Sequence, residues 1–249
     1  MFKLFVSLIF LLSTSLFAKN ITIAVAANVS YAIDELKKEF NKEYPDINVR
    51  VILGGSGKLT AQIRNGAPFE LFMSANMIYP QALYNEKLAL FEPHIYAQGA
   101  LAYFSVKKRD FSDVKSILEA NSISKIAIAN PKTAPYGKAA FEALTNAHIL
   151  EKIRKKFIYA ESISQTVSYS VSAADIGIIA KSALYSKQMR KYKENHNWRE
   201  VESSLYRPID QGIVILTRGQ SSKSVRAFYD FMLSEKAKKI FQRYGYSTL

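Results

Sequence analysis

Short apolar runs alternate with amphipathic segments along almost the whole chain, and this alternation is the strongest constraint on its fold. Residues 21–26 read as a strand. Residues 29–44 read as a helix, with Ile33, Leu36 and Phe40 at helical spacing and Pro45-Asp46 as its stop. Residues 47–53 read as a second strand, 59–64 as a helix ended by Asn65-Gly66, 71–74 as a strand and 79–85 as a helix. The same order resumes with strands at 100–106, 125–129, 157–159 and 176–180, and helices at 112–120, 137–147 and 163–172. Residues 207–216 look extended, 222–233 and 234–244 form two closing helices, and the polar stretch 187–200 reads as a surface loop or weak helix. Such an order predicts an α/β fold with parallel strands joined by helical crossovers. At 249 residues, two units of about 100 residues each fit better than one very wide sheet.

Composition removes several classes of function. Apolar residues make up 49% and charged residues 22%, an ordinary globular mixture, so the chain is not intrinsically disordered. It has no cysteine, which excludes disulfides, thiolate metal sites, a cysteine nucleophile and a lipid-modified cysteine. Residues 1–18 carry one Lys, an apolar middle and Ala18 at the end, the layout of a cleavable export signal; the run is shorter than the ~20 residues of a membrane span. The net charge of +13 is compatible with nucleic-acid binding, with faster encounter of small anions, or with an ordinary basic surface. The basic residues sit in pairs such as Lys37-Lys38 and Lys238-Lys239 and form no long tract, so no nucleic-acid partner is expected.

Four predicted helix starts share one chemistry. Asn28 precedes the first helix, Ser56 sits in Gly54-Gly55-Ser56-Gly57 before the second, Tyr136-Gly137 follows Pro135, and Ser162-Ile163 opens the helix before residue 176. Each offers unpaired backbone N–H groups, and a helix start carries roughly half a positive charge. Four converging starts would sum to about +2, enough to balance a dianion without a charged side chain. Each position taken alone also reads as an ordinary N-cap, a tight turn or a packed aromatic. Catalytic alternatives are thin. His94, His148 and His196 show no metal-ligand spacing, and no G-x-S-x-G elbow occurs. A phosphate-loop reading of Gly57-Lys58 fails, because Leu59 and Ile52 stand where Ser/Thr and Gly are needed. Tyr244 and Tyr246 read as an aromatic lid on the core rather than as ferric-iron ligands.

Several strings resemble the periplasmic molybdate-binding proteins of ABC transporters: Ile21-Thr22-Ile23-Ala24-Val25-Ala26-Ala27-Asn28, Gly55-Ser56-Gly57-Lys58-Leu59, the stretch from Gly66-Ala67-Pro68 to Leu71-Phe72-Met73-Ser74-Ala75, Pro135-Tyr136-Gly137, Gln211-Gly212 and the ending from Phe241 to Tyr246. The resemblance implies a two-lobed type II periplasmic-binding-protein fold, each lobe a mixed sheet flanked by helices. Residues 19–97 with 207–249 would form one lobe and 98–206 the other, with hinges near Ala97 and Arg207. It further implies a monomeric receptor, not an enzyme. Such a receptor would hold molybdate, and tungstate too, in the cleft and deliver it to an inner-membrane permease and its ATPase. The implied contacts are Ala27, Asn28, Ser56, Tyr136 and Ile163. No cofactor and no direct protein–metal bond are implied, the molybdenum being held through its oxo groups. Asn28 stands where serine is common, Ala180 where some members carry tyrosine, and Glu70 and Asn76 where aspartates are usual. The competing expectations are a receptor for another oxyanion such as sulfate, and an exported hydrolase on the same fold.

Overall fold

The computed structural model describes residues 19–248, so the export-signal reading of residues 1–18 lies outside the described residues. The chain begins with β1 (Lys19–Ala26), α1 (Ile33–Glu43), β2 (Ile47–Gly54), α2 (Ser56–Arg64), β3 (Leu71–Met73), α3 (Ile78–Asn85) and β4 (His94–Gly99). It crosses at Ala100 into β5 (Leu101–Phe104), α4 (Val114–Glu119), β6 (Ile126–Ala129), α5 (Pro135–Asn146), α6 (Leu150–Ile153), β7 (Phe157–Ala160), α7 (Ile163–Ser172), β8 (Ile176–Ala180) and β9 (Trp198–Glu200). It then returns through β10 (Ile209–Ile215) to α8 (Lys223–Met232) and α9 (Glu235–Arg243).

These strands make two five-stranded mixed sheets, ordered β2-β1-β3-β10-β4 and β7-β6-β8-β5-β9. β1 lies parallel to β2 and β3, and β6 parallel to β7 and β8, as helical crossovers require. β10 runs antiparallel to both β3 and β4, because it enters the first sheet from the other lobe. β1, an interior strand, is buried on both faces from Ile23 to Ala26, which explains its unbroken apolar run there.

Each sheet is sealed by helices with one apolar stripe. In α1, Leu36 and Phe40 are buried, and the Phe40 ring meets Phe228 edge-on at 5.0 Å and Phe231 at 5.4 Å on α8. Burying a side chain of this size is worth about 1.5–3 kcal/mol. Ser222 and Ser234 cap α8 and α9, each accepting a backbone N–H of the first turn. These two closing helices therefore belong to the first sheet.

Three local expectations are corrected. The helix expected over 29–44 opens instead as a 3-10 turn, Ala27–Tyr31, and becomes α-helical only at Ile33. Asn28 lies inside that turn and caps nothing, since its amide is drawn to Gln211 and Tyr246. Strands β4 and β9 have no counterpart in the sequence reading. β4 mixes polar and aromatic residues without alternation, and β9 has three residues, too short to show a period; pairing with β10 and with β5 makes them strands.

Candidate functional site

Parallel strands bring their C-terminal ends to one edge, where the following turns cluster. In the first sheet, Ala26 is level with Gly54 and Val25 with Met73. That register sets Ala27-Asn28, Gly55-Ser56 and Ser74-Ala75 side by side. Ser56 is the first residue of α2 and is 1% exposed. Its Oγ accepts the Ala75 N–H at 3.0 Å, so its hydroxyl hydrogen remains to be donated elsewhere. In the second sheet, Ala129 is level with Ala160, which sets the start of α5 beside that of α7. Pro135 occupies the first turn of α5, where its missing N–H costs nothing. Ser162 caps α7 by accepting the Gln165 N–H at 3.3 Å.

The two edges face each other. Ala26, Ala27, Asn28, Gly55, Ser56 and Ala75 from the first lobe, with Pro135, Tyr136 and Ile163 from the second, line one small cavity. All five residues singled out from the sequence, Ala27, Asn28, Ser56, Tyr136 and Ile163, are at this place. Ala180, also weighed there, is buried but is not part of the lining. No lining residue carries a charged side chain. Ser56, Tyr136 and Ile163 lie in first helical turns, where a backbone N–H has no intrahelical acceptor.

The lobes are in contact around the cavity. The Gly57 N–H donates to the Thr133 carbonyl at 3.1 Å, the Ser182 hydroxyl donates to the Asn28 carbonyl at 3.3 Å, and Lys58 pairs with Glu161 at 3.4 Å. A Cβ on Gly57 would lie 2.9 Å from the Thr133 oxygen, and one on Gly55 3.0 Å from the Glu161 oxygen. Only glycine lets the backbones approach so closely.

Behind the cavity lies a polar cluster that the sequence reading did not anticipate. Asn28, fully buried, donates through Nδ2 to Gln211 Oε1 at 2.7 Å and to the Tyr246 hydroxyl at 3.0 Å. Tyr96 donates to Gln211 Oε1 at 2.8 Å, and Gln211 Nε2 donates to the Tyr136 hydroxyl at 3.2 Å. Tyr246 donates to the Asn28 carbonyl at 2.9 Å, so it is part of this cluster and not merely a lid on the core. Burial pushes the phenols of Tyr96 and Tyr136 well above their usual range and that of Tyr246 up to about 12, so all three stay protonated near neutrality. Asn28 Oδ1 is buried without a partner, a state that costs about 1–3 kcal/mol. The sequence signal for Gln211 was present in Gln211-Gly212; nothing local marked Tyr96.

The geometry describes a small, uncharged site between two lobes, with no carboxylate, imidazole or amine in its lining to activate the Ser56 hydroxyl as a nucleophile. Residues 21–247 match the family model of the bacterial extracellular solute-binding proteins. The chain belongs to this family. The solute-binding protein is 33% identical over 240 residues, 95% of this chain and 93% of the relative, to the molybdate-binding protein ModA of Azotobacter vinelandii. It is 32% identical to ModA of Rhodobacter capsulatus, covering 93% of this chain and 89% of that one. Among solved structures, the Azotobacter vinelandii periplasmic molybdate-binding protein superposes with a TM-score of 0.83 at 30% identity, covering 92% of this chain and 99% of that chain. The solute-binding protein is thus a binding protein and not an enzyme, and its two helix-flanked mixed sheets are the type II architecture expected.

Proposed function

We propose that this solute-binding protein captures molybdate, and tungstate with it, in the interlobe cavity and delivers it from the periplasm to an ABC permease and its ATPase. The observation that supports this most is the lining itself: two lobes converge on a cavity with helix-start amides and the Ser56 hydroxyl, and no charged side chain. A fully deprotonated oxyanion only accepts hydrogen bonds, so it suits a shell of donors. The proposed contacts are Ser56 through hydroxyl and N–H, Asn28 and Ala27 on the first loop, and the backbone N–H groups of Tyr136 and Ile163. With charge supplied by helix ends, every tetrahedral dianion is attracted alike. Size and protonation then discriminate. Sulfate, smaller, reaches the donors over longer bonds, and a phosphate proton facing a donor leaves that donor unpaired.

Residues 19–99 with 209–249, which carry the first sheet, form one moving lobe and the residues between them the other, in a hinge motion that completes the donor shell only when shut. The chain acts as a monomer and is exported by its N-terminal signal. Thermal unfolding tests the assignment. A ligand that binds only the folded state adds RT ln(1 + [L]/Kd) to stability. Sodium molybdate should raise Tm clearly more than sodium sulfate at equal concentration; equal shifts would defeat the molybdate reading.

A further inference from the structure

Gln211 is fully buried, three residues into β10, the strand by which the chain returns to the first lobe. A register shift between Gln211 and Gly212 against β4 leaves Tyr96 without a partner across the ladder, and its phenol turns onto Gln211 Oε1. Gly99 makes room for the group: a Cβ there would lie 2.0 Å from the Tyr136 hydroxyl and 2.8 Å from Gln211 Nε2. The side chain of Gln211 thereby joins Asn28 of the first lobe, Tyr96 of β4 and Tyr136 of the second lobe.

Both hydrogens of the Asn28 amide are engaged, one by Gln211 and one by Tyr246, so the atom left over is the unpaired Oδ1. An acceptor is the wrong group to offer an oxyanion. Turning the Asn28 amide by half a revolution presents Nδ2 instead and places Oδ1 toward Gln211 and Tyr246. Gln211 Oε1 would then oppose Oδ1, acceptor against acceptor. Gln211 must therefore turn as well. Its Nε2 then donates to Asn28 Oδ1 and to the Tyr96 oxygen, its Oε1 accepts from the Tyr136 hydroxyl, and Tyr96 is free to donate to the Ser74 carbonyl, already 3.4 Å away. The Tyr246 hydroxyl hydrogen swings from the Asn28 carbonyl to Oδ1, and the carbonyl keeps the hydrogen bond from Ser182, so the cluster is satisfied after the double turn.

We propose that Gln211 is a positioning residue for oxyanion capture: its amide turns together with that of Asn28, so that Asn28 meets the bound anion as a donor while Tyr136 gives its phenol hydrogen to Gln211. The inference rests on the oxyanion reading above, and it places the response to ligand on a strand that joins the lobes.

Gln211→Glu is the discriminating variant. An ionised carboxylate only accepts, so it holds the Asn28 amide hydrogens away from the anion. A protonated one donates to Asn28 Oδ1 and restores the arrangement. The titratable groups facing position 211 are Tyr96 on β4, Tyr136 on α5 and Tyr246 at the C-terminal end, all neutral phenols. Among the described residues no carboxylate or cationic side chain hydrogen-bonds to them; the neighbouring Asp210 is engaged by Gln98. Calorimetric titration with sodium molybdate should show Gln211→Glu bound at least 30-fold more weakly than the native chain at pH 8. That gap should narrow at least tenfold by pH 5.5, while the native chain stays nearly flat. Gln211→Met, which neither donates nor accepts, should stay weak at both pH values. An unchanged affinity in Gln211→Glu, or a loss that is the same at both pH values, overturns the proposal. If neither variant folds, the side-chain amide resonances of the native chain decide it. Molybdate should shift those of Asn28 and Gln211 together; a shift of Asn28 alone overturns the proposal. Absence of molybdate binding by the native chain is a different result, which removes the oxyanion reading itself.

Discussion

The first lobe meets the cavity with the side chains of Asn28 and Ser56, each hydrogen-bonded to neighbours within the protein. The second lobe meets it with Tyr136 and Ile163 in the first turns of α5 and α7, whose backbone N–H groups are the donors proposed there. The difference separates two ways of holding an anion. Side-chain donors can be exchanged by a single mutation and so set the chemistry of the site. Backbone donors come with the fold, and any residue that keeps the helix in place supplies them.

Asn28 is the first-lobe position where a single substitution has the largest expected effect. In Asn28→Asp a carboxylate faces the anion, and two like charges about 4 Å apart at an effective dielectric near 20 repel by about 4 kcal/mol or more. Calorimetry at pH 8 should detect no molybdate binding in the concentration range that saturates the native chain, and retained affinity would show that position 28 faces elsewhere. Ser56→Ala should cost about 1–3 kcal/mol of binding, the loss of a hydrogen bond to a charged group. Unchanged affinity would remove Ser56 from the site. Ile163→Val sharpens the contrast from the other side. It should lower Tm slightly, as a core Ile→Val change costs about 0.5–1.5 kcal/mol, yet leave molybdate affinity within about twofold, since the backbone N–H is retained. A large loss of affinity would mean that the second lobe reads ligand shape through its side chains too.

Much of the fold was legible in the sequence because parallel strands buried on both faces are long apolar runs, as in β1 and β8. Ser56, Tyr136 and Ile163 were legible because helix starts leave local marks, glycine, serine and proline at fixed places, whereas Asn28 was reached as the start of a helix it does not cap and Ala27 only through the family resemblance. What escaped was made by distance. Tyr96, Gln211 and Tyr246 are far apart in the chain, and only the antiparallel return of β10 between β3 and β4, with the C-terminal end folded back, sets them behind Asn28. β4 and β9 escaped for the same reason, being strands through their partners and not through their own pattern.

A cavity without formal charges inside a chain of net charge +13 has a kinetic corollary. Dissolved ions screen the long-range field of the surface but do not enter a shut cavity. Raising ionic strength should therefore slow the arrival of the anion while leaving its departure nearly untouched. Salt would act on this receptor at the door and not in the room.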